Sequence, residues 1–161
     1  MTPKPPYFEE LEGRDPVAAM SDSAAGIAEL VERWTPEQFE RRSAPGKWTA
    51  REILIHVAQA EMAFGARART ALSVEDLVAP SYEQDGWLAL ESTISGTLAL
   101  QLFKVLSQLN LALYSSLSVA ERQTSFTHTE YGRLTIDWLI HQQAGHQVHH
   151  LKQLEALSAP A

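Results

Sequence analysis

Cysteine is absent from this chain. That excludes structural disulfides, thiolate metal sites and a cysteine nucleophile, so a bound metal must be held by nitrogen and oxygen. Basic residues are few: 13 Lys and Arg stand against 20 Asp and Glu, a formal net charge of −7. No basic stripe is present to engage phosphates, and no nucleic-acid partner is expected. Long apolar runs are also missing. The most apolar stretch, "GTLALQLFKVL", is broken by Lys104 and is too short to cross a bilayer, so no membrane partner is expected either. The N-terminal "MTPKPPYFEE" lacks the apolar core of a secretion signal, and the expected location is the cytoplasm. No alternating strand pattern of convincing length and no internal repeat stands out.

What is present is helical periodicity. The length, 161 residues, suits one domain over 1–161, with the proline-bearing residues 1–14 as an N-terminal arm. Asp15 followed by Pro16 reads as a cap and first turn, and Val17, Met20, Ala24, Ile27, Val31 and Trp34 follow at helical spacing, predicting a helix over roughly 16–33. Thr35 caps a short turn. "TARE" is a capping box in which Thr49 caps and Glu52 reaches back, opening a second long helix to about Leu72. A third is expected from about Trp87 to Ser116, with Gly96 as a mild flaw in it. It carries two apolar rows. One is Ile94, Leu98, Leu102, Val105, Leu109 and Ala112; the other is Leu100, Phe103, Leu106, Leu111 and Tyr114. A surface helix needs only one, so either this helix is central or its far side meets a partner subunit; on the second reading the second row, with Leu100 and Phe103, is a dimer interface. "SVAE" caps another short turn, "SFTHTEYGRL" reads as a loop with a possible brief extended piece, and Thr135 caps a last helix to about Leu157. Four long helices imply an all-α four-helix bundle.

Five of the six histidines fall within 128–150, in a C-terminal part whose charges balance. On the last helix, Leu139, Gln143, His146, His150, Gln153 and Leu154 form one stripe, so two imidazoles sit one turn apart on a core-facing side. On the second helix, His56 lies in the apolar row of Ile53, Val57, Ala60 and Phe64. Packing these two faces together brings three imidazoles into the bundle core, a usual place for a metal. Three nitrogen ligands leave a coordination position open, the arrangement of catalytic rather than structural sites. Histidines four apart also occur as structural or surface pairs, and His56 alone would serve as a satisfied core histidine. Gln147 occupies the position of the glutamate in an HExxH protease signature, so that chemistry is excluded. His149 lies off the stripe, His141 shares its sector, and His128 sits in a loop that can reach a site mouth.

"GKWTAREILIHVAQAE" (46–61) and "GRLTIDWLIHQQAGHQVHHLKQ" (132–153) resemble the two motifs of the DinB-like, YfiT-like proteins. The resemblance runs over nearly the whole chain. It implies an up-down-down-up bundle with a divalent metal, zinc or nickel, held by His56, His146 and His150, and it implies a homodimer. It further implies a metal-dependent hydrolase, or a transferase using a low-molecular-weight thiol, acting on a small molecule. A non-catalytic metal-containing binding or stress-response module is the alternative. One departure is visible: the acid often found three residues after the first histidine is Gln59 here. Glu61 is the remaining carboxylate that could stand behind the ligands, and Gln153 could line the cavity; Gln143 reads as an ordinary packed or solvated polar residue.

Overall fold

The computed structural model describes residues 2–158; Met1 and residues 159–161 of the expected domain lie outside the described residues. Four long helices form the body: α1 (Pro16–Val31), α3 (Ala50–Ser73), α5 (Gly96–Ser116) and α7 (Ile136–Ser158). Short helices α2 (Pro36–Phe39), α4 (Gln84–Leu90) and α6 (Val119–Arg122) sit in the connections. The caps read from the sequence are formed. Thr35, Thr49 and Ser118 each make a reciprocal capping box, Asp15 accepts from the Ala18 N–H, and Thr135 Oγ1 accepts from the Trp138 N–H at 3.1 Å. Each satisfies helix-start donors that would otherwise be orphaned.

α3 packs between α5 and α7, and α1 closes the ring against the same two helices. Side-chain pairs give the directions. Arg51 reaches the Ser92 carbonyl and Arg69 reaches Asn110, so α3 and α5 run parallel. Ser23 pairs with Gln147 and Gly26 abuts Leu151, so α1 and α7 run parallel. His56 meets His146 while Glu61 meets Gln143, so α3 and α7 are antiparallel. The topology is up-down-down-up. Among the described residues, no helix is long and apolar enough to cross a membrane.

Three features depart from the sequence reading. The third helix is two. Ser95 caps α5 through the Leu98 N–H, and Glu91–Ser95 separates it from α4. Gly96 is thus no interior flaw: it is the first residue of α5, where a Cβ would run into the Phe39 ring. Second, "SFTHTEYGRL" folds as a hairpin, β2 (Ser125–His128) with β3 (Gly132–Thr135), and β1 (Val78–Ala79) joins β2 in parallel. Phe126, His128 and Leu134 point inward, but four-residue strands are too short for alternation to show. Third, the row on α5 expected to meet a partner is core. Leu100, Phe103 and Tyr114 are buried beside Ser107 and Asn110, whereas Leu98, Leu102, Val105 and Leu109 remain 44, 38, 64 and 53% exposed. Both rows are apolar, so periodicity alone could not choose between them.

The N-terminal arm is also built in. A 3₁₀ turn, Phe8–Leu11, packs on α7; Leu11 is buried, and the Trp138 indole N–H donates to the Pro3 carbonyl at 2.6 Å. Gly145 permits this approach, because a Cβ there would strike the Tyr7 carbonyl.

The two faces of α5 should separate in denaturant unfolding. Phe103→Ala, at a fully buried ring, is expected to cost about 3–5 kcal/mol, and Leu98→Ala well under half of that. Equal losses would contradict the inward assignment of the Phe103 row.

Candidate metal centre

The capping box at Thr49 sets the phase of α3 and carries His56 into the core two turns later, beside Ile53 and Val57. On α7, His146 and His150 are held inward by the same face that buries Leu139, Gln143 and Leu154. The three rings converge. His146 Nε2 lies 2.9 Å from His56 Nε2 and 3.1 Å from His150 Nε2. One ligand atom from each ring falls within 4.8 Å of the other two, and all three residues are buried.

Their outer nitrogens are engaged. His150 Nδ1 is 2.9 Å from Gln153 Oε1, an acceptor, so a neutral His150 carries its proton on Nδ1 and presents a bare Nε2. His56 Nδ1 is 3.2 Å from the Tyr82 hydroxyl. His146 Nε2 therefore sits between two ring nitrogens. One proton there cannot serve both neighbours in good geometry, and without it two lone pairs face each other at about 3 Å. A cation shared by the three nitrogens removes the conflict. Tetrahedral ligands about 2.0–2.1 Å from zinc stand about 3.3 Å apart, close to the spacing present. The residues fit a divalent metal, and the donor set is all nitrogen, within the nitrogen and oxygen donors that the lack of cysteine leaves.

Burial keeps the rings neutral. Desolvation holds His56 at a pKa of about 4 and His150 at about 3, with the neighbouring His56 adding to the effect on His150. His146 is held well below the usual histidine range by burial first and then by the other two rings. Neutral imidazole is the metal-binding form. Trp48 packs on the His56 ring at 4.9 Å and Phe64 against His146 at 6.0 Å, walling the centre with aromatic carbon. A cavity of about 530 Å³ opens over the triad, lined by His56 and His146 and also by Tyr7, Arg67, Tyr82 and His128.

The other expected residues fall as follows. Gln153 sits directly behind His150. Gln59 is buried but turned to α4: its Nε2 donates to Glu91 Oε2 at 2.7 Å, and among the described residues its Oε1 has no hydrogen-bond partner. Glu61 does not back a ligand. Among the described residues its carboxylate accepts from Asn110, Gln143 and Gln147, not from a triad histidine. Burial pushes its pKa up, and the three amide donors oppose this. Gln143 is a packed core residue, accepting from the Tyr114 hydroxyl at 2.7 Å. His149 stacks on Tyr7 and faces Glu10 on the arm, and His141 stacks on Phe8 with Nδ1 at the Asp137 carbonyl, so neither joins the triad. His128 does reach the cavity. Tyr82 and Arg67 have no counterpart in the sequence reading. Arg67 lies eleven residues, about three turns, beyond His56 on α3, a spacing that could have suggested it.

Fold and site together define a class: an up-down-down-up helical bundle with a buried three-histidine centre open to a cavity. The chain belongs to the DinB superfamily, whose family model matches residues 19–154. The relatives are consistent with this. A protein of Oceanobacillus iheyensis named "Putative metal-dependent hydrolase" is 28% identical over 122 residues, 75% of this chain and 71% of that one. One of Bacillus mycoides bearing the same description is 22% identical over 142 residues, 88% of this chain and 82% of that one. Among solved structures, YfiT from Bacillus subtilis matches with a TM-score of 0.80 at 23% identity, covering 89% of this chain and 83% of YfiT. It is described as "a probable metal-dependent hydrolase with an unusual four-helix bundle topology". The resemblance read from the two histidine motifs and the expected fold are borne out.

The neutral triad has an acid signature. Unfolded histidines bind protons near pH 6.5, whereas His56 and His150 do so only near 4 and 3 in the folded chain. Between these limits the unfolded state holds more protons, so stability falls as pH falls. In urea unfolding of chelator-treated protein, each histidine should contribute a slope of about 1.4 kcal/mol per pH unit between about pH 6 and 4. His56→Ala should remove one such contribution; an unchanged slope would show that His56 is not buried neutral.

Proposed function

We propose that this protein is a divalent-metal-dependent enzyme in which His56, His146 and His150 hold the ion, zinc or nickel. The observation that carries the reading is the convergence of three buried, neutral imidazole nitrogens at the floor of a cavity. The names of the relatives support the metal-dependent half of it. When bound, such an ion acts as a Lewis acid and activates a water or a low-molecular-weight thiol.

The chain's own residues prepare the site. Gln153 Oε1 accepts a hydrogen bond from the Nδ1–H of His150 and so fixes that ring's tautomer. With Nε2 of His56 bare for the ion, its Nδ1–H donates to the Tyr82 hydroxyl oxygen, which orients the ring, and burial raises the Tyr82 pKa, so that the hydroxyl keeps its own proton at neutral pH. Trp48 and Phe64 exclude water from the sides of the triad. The cavity suits a small molecule. The proposed dimer interface is the exposed row of α5, Leu98, Leu102, Val105 and Leu109, which leaves apolar surface in water.

Elemental analysis of the purified protein should give one divalent metal per chain. His56→Ala and His150→Ala should each abolish retention through dialysis, and Gln153→Ala should weaken chelator-competition affinity about 10–100-fold. Undiminished binding in both histidine variants would remove the triad assignment. Amides, esters and epoxides assayed with and without low-molecular-weight thiols separate hydrolysis from thiol transfer. Uniform inactivity of the metal-loaded protein would favour a binding module instead.

The wild type should be a dimer in light scattering at micromolar concentration, and Val105→Glu with Leu109→Glu should give a folded monomer. A monomeric wild type would end the dimer proposal.

A further inference from the structure

Beside the triad the cavity is lined by two hydrogen-bond donors that the metal reading does not use, Arg67 on α3 and His128 on the hairpin, and the first is a cation without an anion. Arg67 is half-buried on α3, with its guanidinium 5.9 Å from the Phe64 ring centroid. One of its five N–H donors is spent on the Pro80 carbonyl, at 2.8 Å. Among the described residues no carboxylate lies within 4.0 Å of it. A half-desolvated guanidinium is normally paired.

His128 lines the same cavity, buried on β2. Its Nδ1 accepts from the backbone N–H groups of Glu130 and Tyr131 at 3.2 and 3.4 Å. That fixes the proton of the neutral ring on Nε2 and makes this second nitrogen a donor. Burial and then the nearby Arg67 charge lower the pKa of His128, keeping the ring neutral. The two acids that line the cavity are occupied at the exposed rim. Glu83 caps α4 through the Gly86 N–H, and Glu130 accepts from the Ser81 hydroxyl at 3.2 Å. The cavity therefore offers one full positive charge in a planar fork, a neutral imidazole donor, and two carboxylates at the rim. The fork suits a carboxylate; the single charge and acidic rim disfavour a dianionic phosphate.

We infer that the cavity takes a small molecule bearing a carboxylate, held by Arg67 and His128 at the sheet side while its reacting bond lies over the triad. Arg67 is thus a determinant of substrate class. The placement of the reacting bond rests on the metal reading above; the carboxylate site does not.

Two arms of one experiment keep the readings apart. In the metal-free protein, NMR titration with butyrate, a monocarboxylate, should shift the His128 ring and Arg67 Nε–H signals, and Arg67→Met should weaken that binding about tenfold or more. In the zinc-loaded protein, succinic monohydroxamate should bind about tenfold or more tightly than its uncharged, amide-capped counterpart. Arg67→Met should abolish that preference, and Arg67→Lys, which keeps charge and stem, should retain part of it. Circular dichroism checks that both variants fold. Equal affinity of the two hydroxamates for the wild type, or the same preference in Arg67→Met, overturns the inference. Tighter binding of inorganic phosphate than of butyrate overturns the carboxylate assignment. Failure to load zinc would sink the metal reading and leave the metal-free arm to decide this one.

Discussion

Three imidazole nitrogens about 3 Å apart in a dry core are a demand the rest of the bundle has to meet. They can be brought there only if α3 and α7 run antiparallel with one register, because a one-residue slip on either helix rotates a ring by about 100°. The next polar layer holds the same register from all four helices. Glu61 on α3 receives Asn110 of α5 and Gln143 and Gln147 of α7, and Gln147 receives Ser23 of α1 in turn. Each amide donates toward Glu61 and accepts at its other end from Arg69, Tyr114 or Ser23. Chains of fixed polarity of this kind are costly when half-made, so they favour one packing arrangement over near alternatives.

That constraint explains what the sequence disclosed and what it withheld. The triad was legible because each histidine sits in an apolar row of a long helix with an unambiguous cap, at Thr49 or Thr135. Glu61 was misplaced for the same reason. It lies near His56 in sequence, but its partners come from three other helices, which periodicity on one helix cannot show. The inward face of α5 follows the same logic. Ser107 and Asn110 look like interruptions of an apolar helix, yet they mark the buried side, while the more regular leucine row faces out. The break before α5 was hidden because Ile94 and Leu98 continue an apolar spacing across it, leaving Ser95 as the one local sign of a new start.

The cavity's outer wall was legible only in part: His128 could be placed at a site mouth from its loop, but Tyr82 and Arg67 could not. Tyr82 reaches His56 through the long α3–α5 connection and His128 reaches the cavity through the hairpin, and these are joined by the two-residue pairing of β1 with β2. Nothing in strands of two and four residues announces a partner dozens of positions away. The arm is similar: its prolines predict an extended segment, but only Gly145 and the Trp138 indole determine where it lies.

The division of labour follows from stiffness. The three imidazoles stand on long helices with buried faces, where a ring can be held to a fraction of an ångström. Of the cavity's other lining groups, Arg67 shares α3 with His56, while Tyr82 and His128 stand on connecting segments, which can vary without disturbing the core. Gln59 shows how the two regions trade. At the position where an acid often follows the first histidine in proteins resembling this one, the amide of Gln59 binds Glu91 at the end of α4. An acid at position 59 would face Glu91 at hydrogen-bond distance with no proton between them, so the amide at 59 and the acid at 91 are coupled choices.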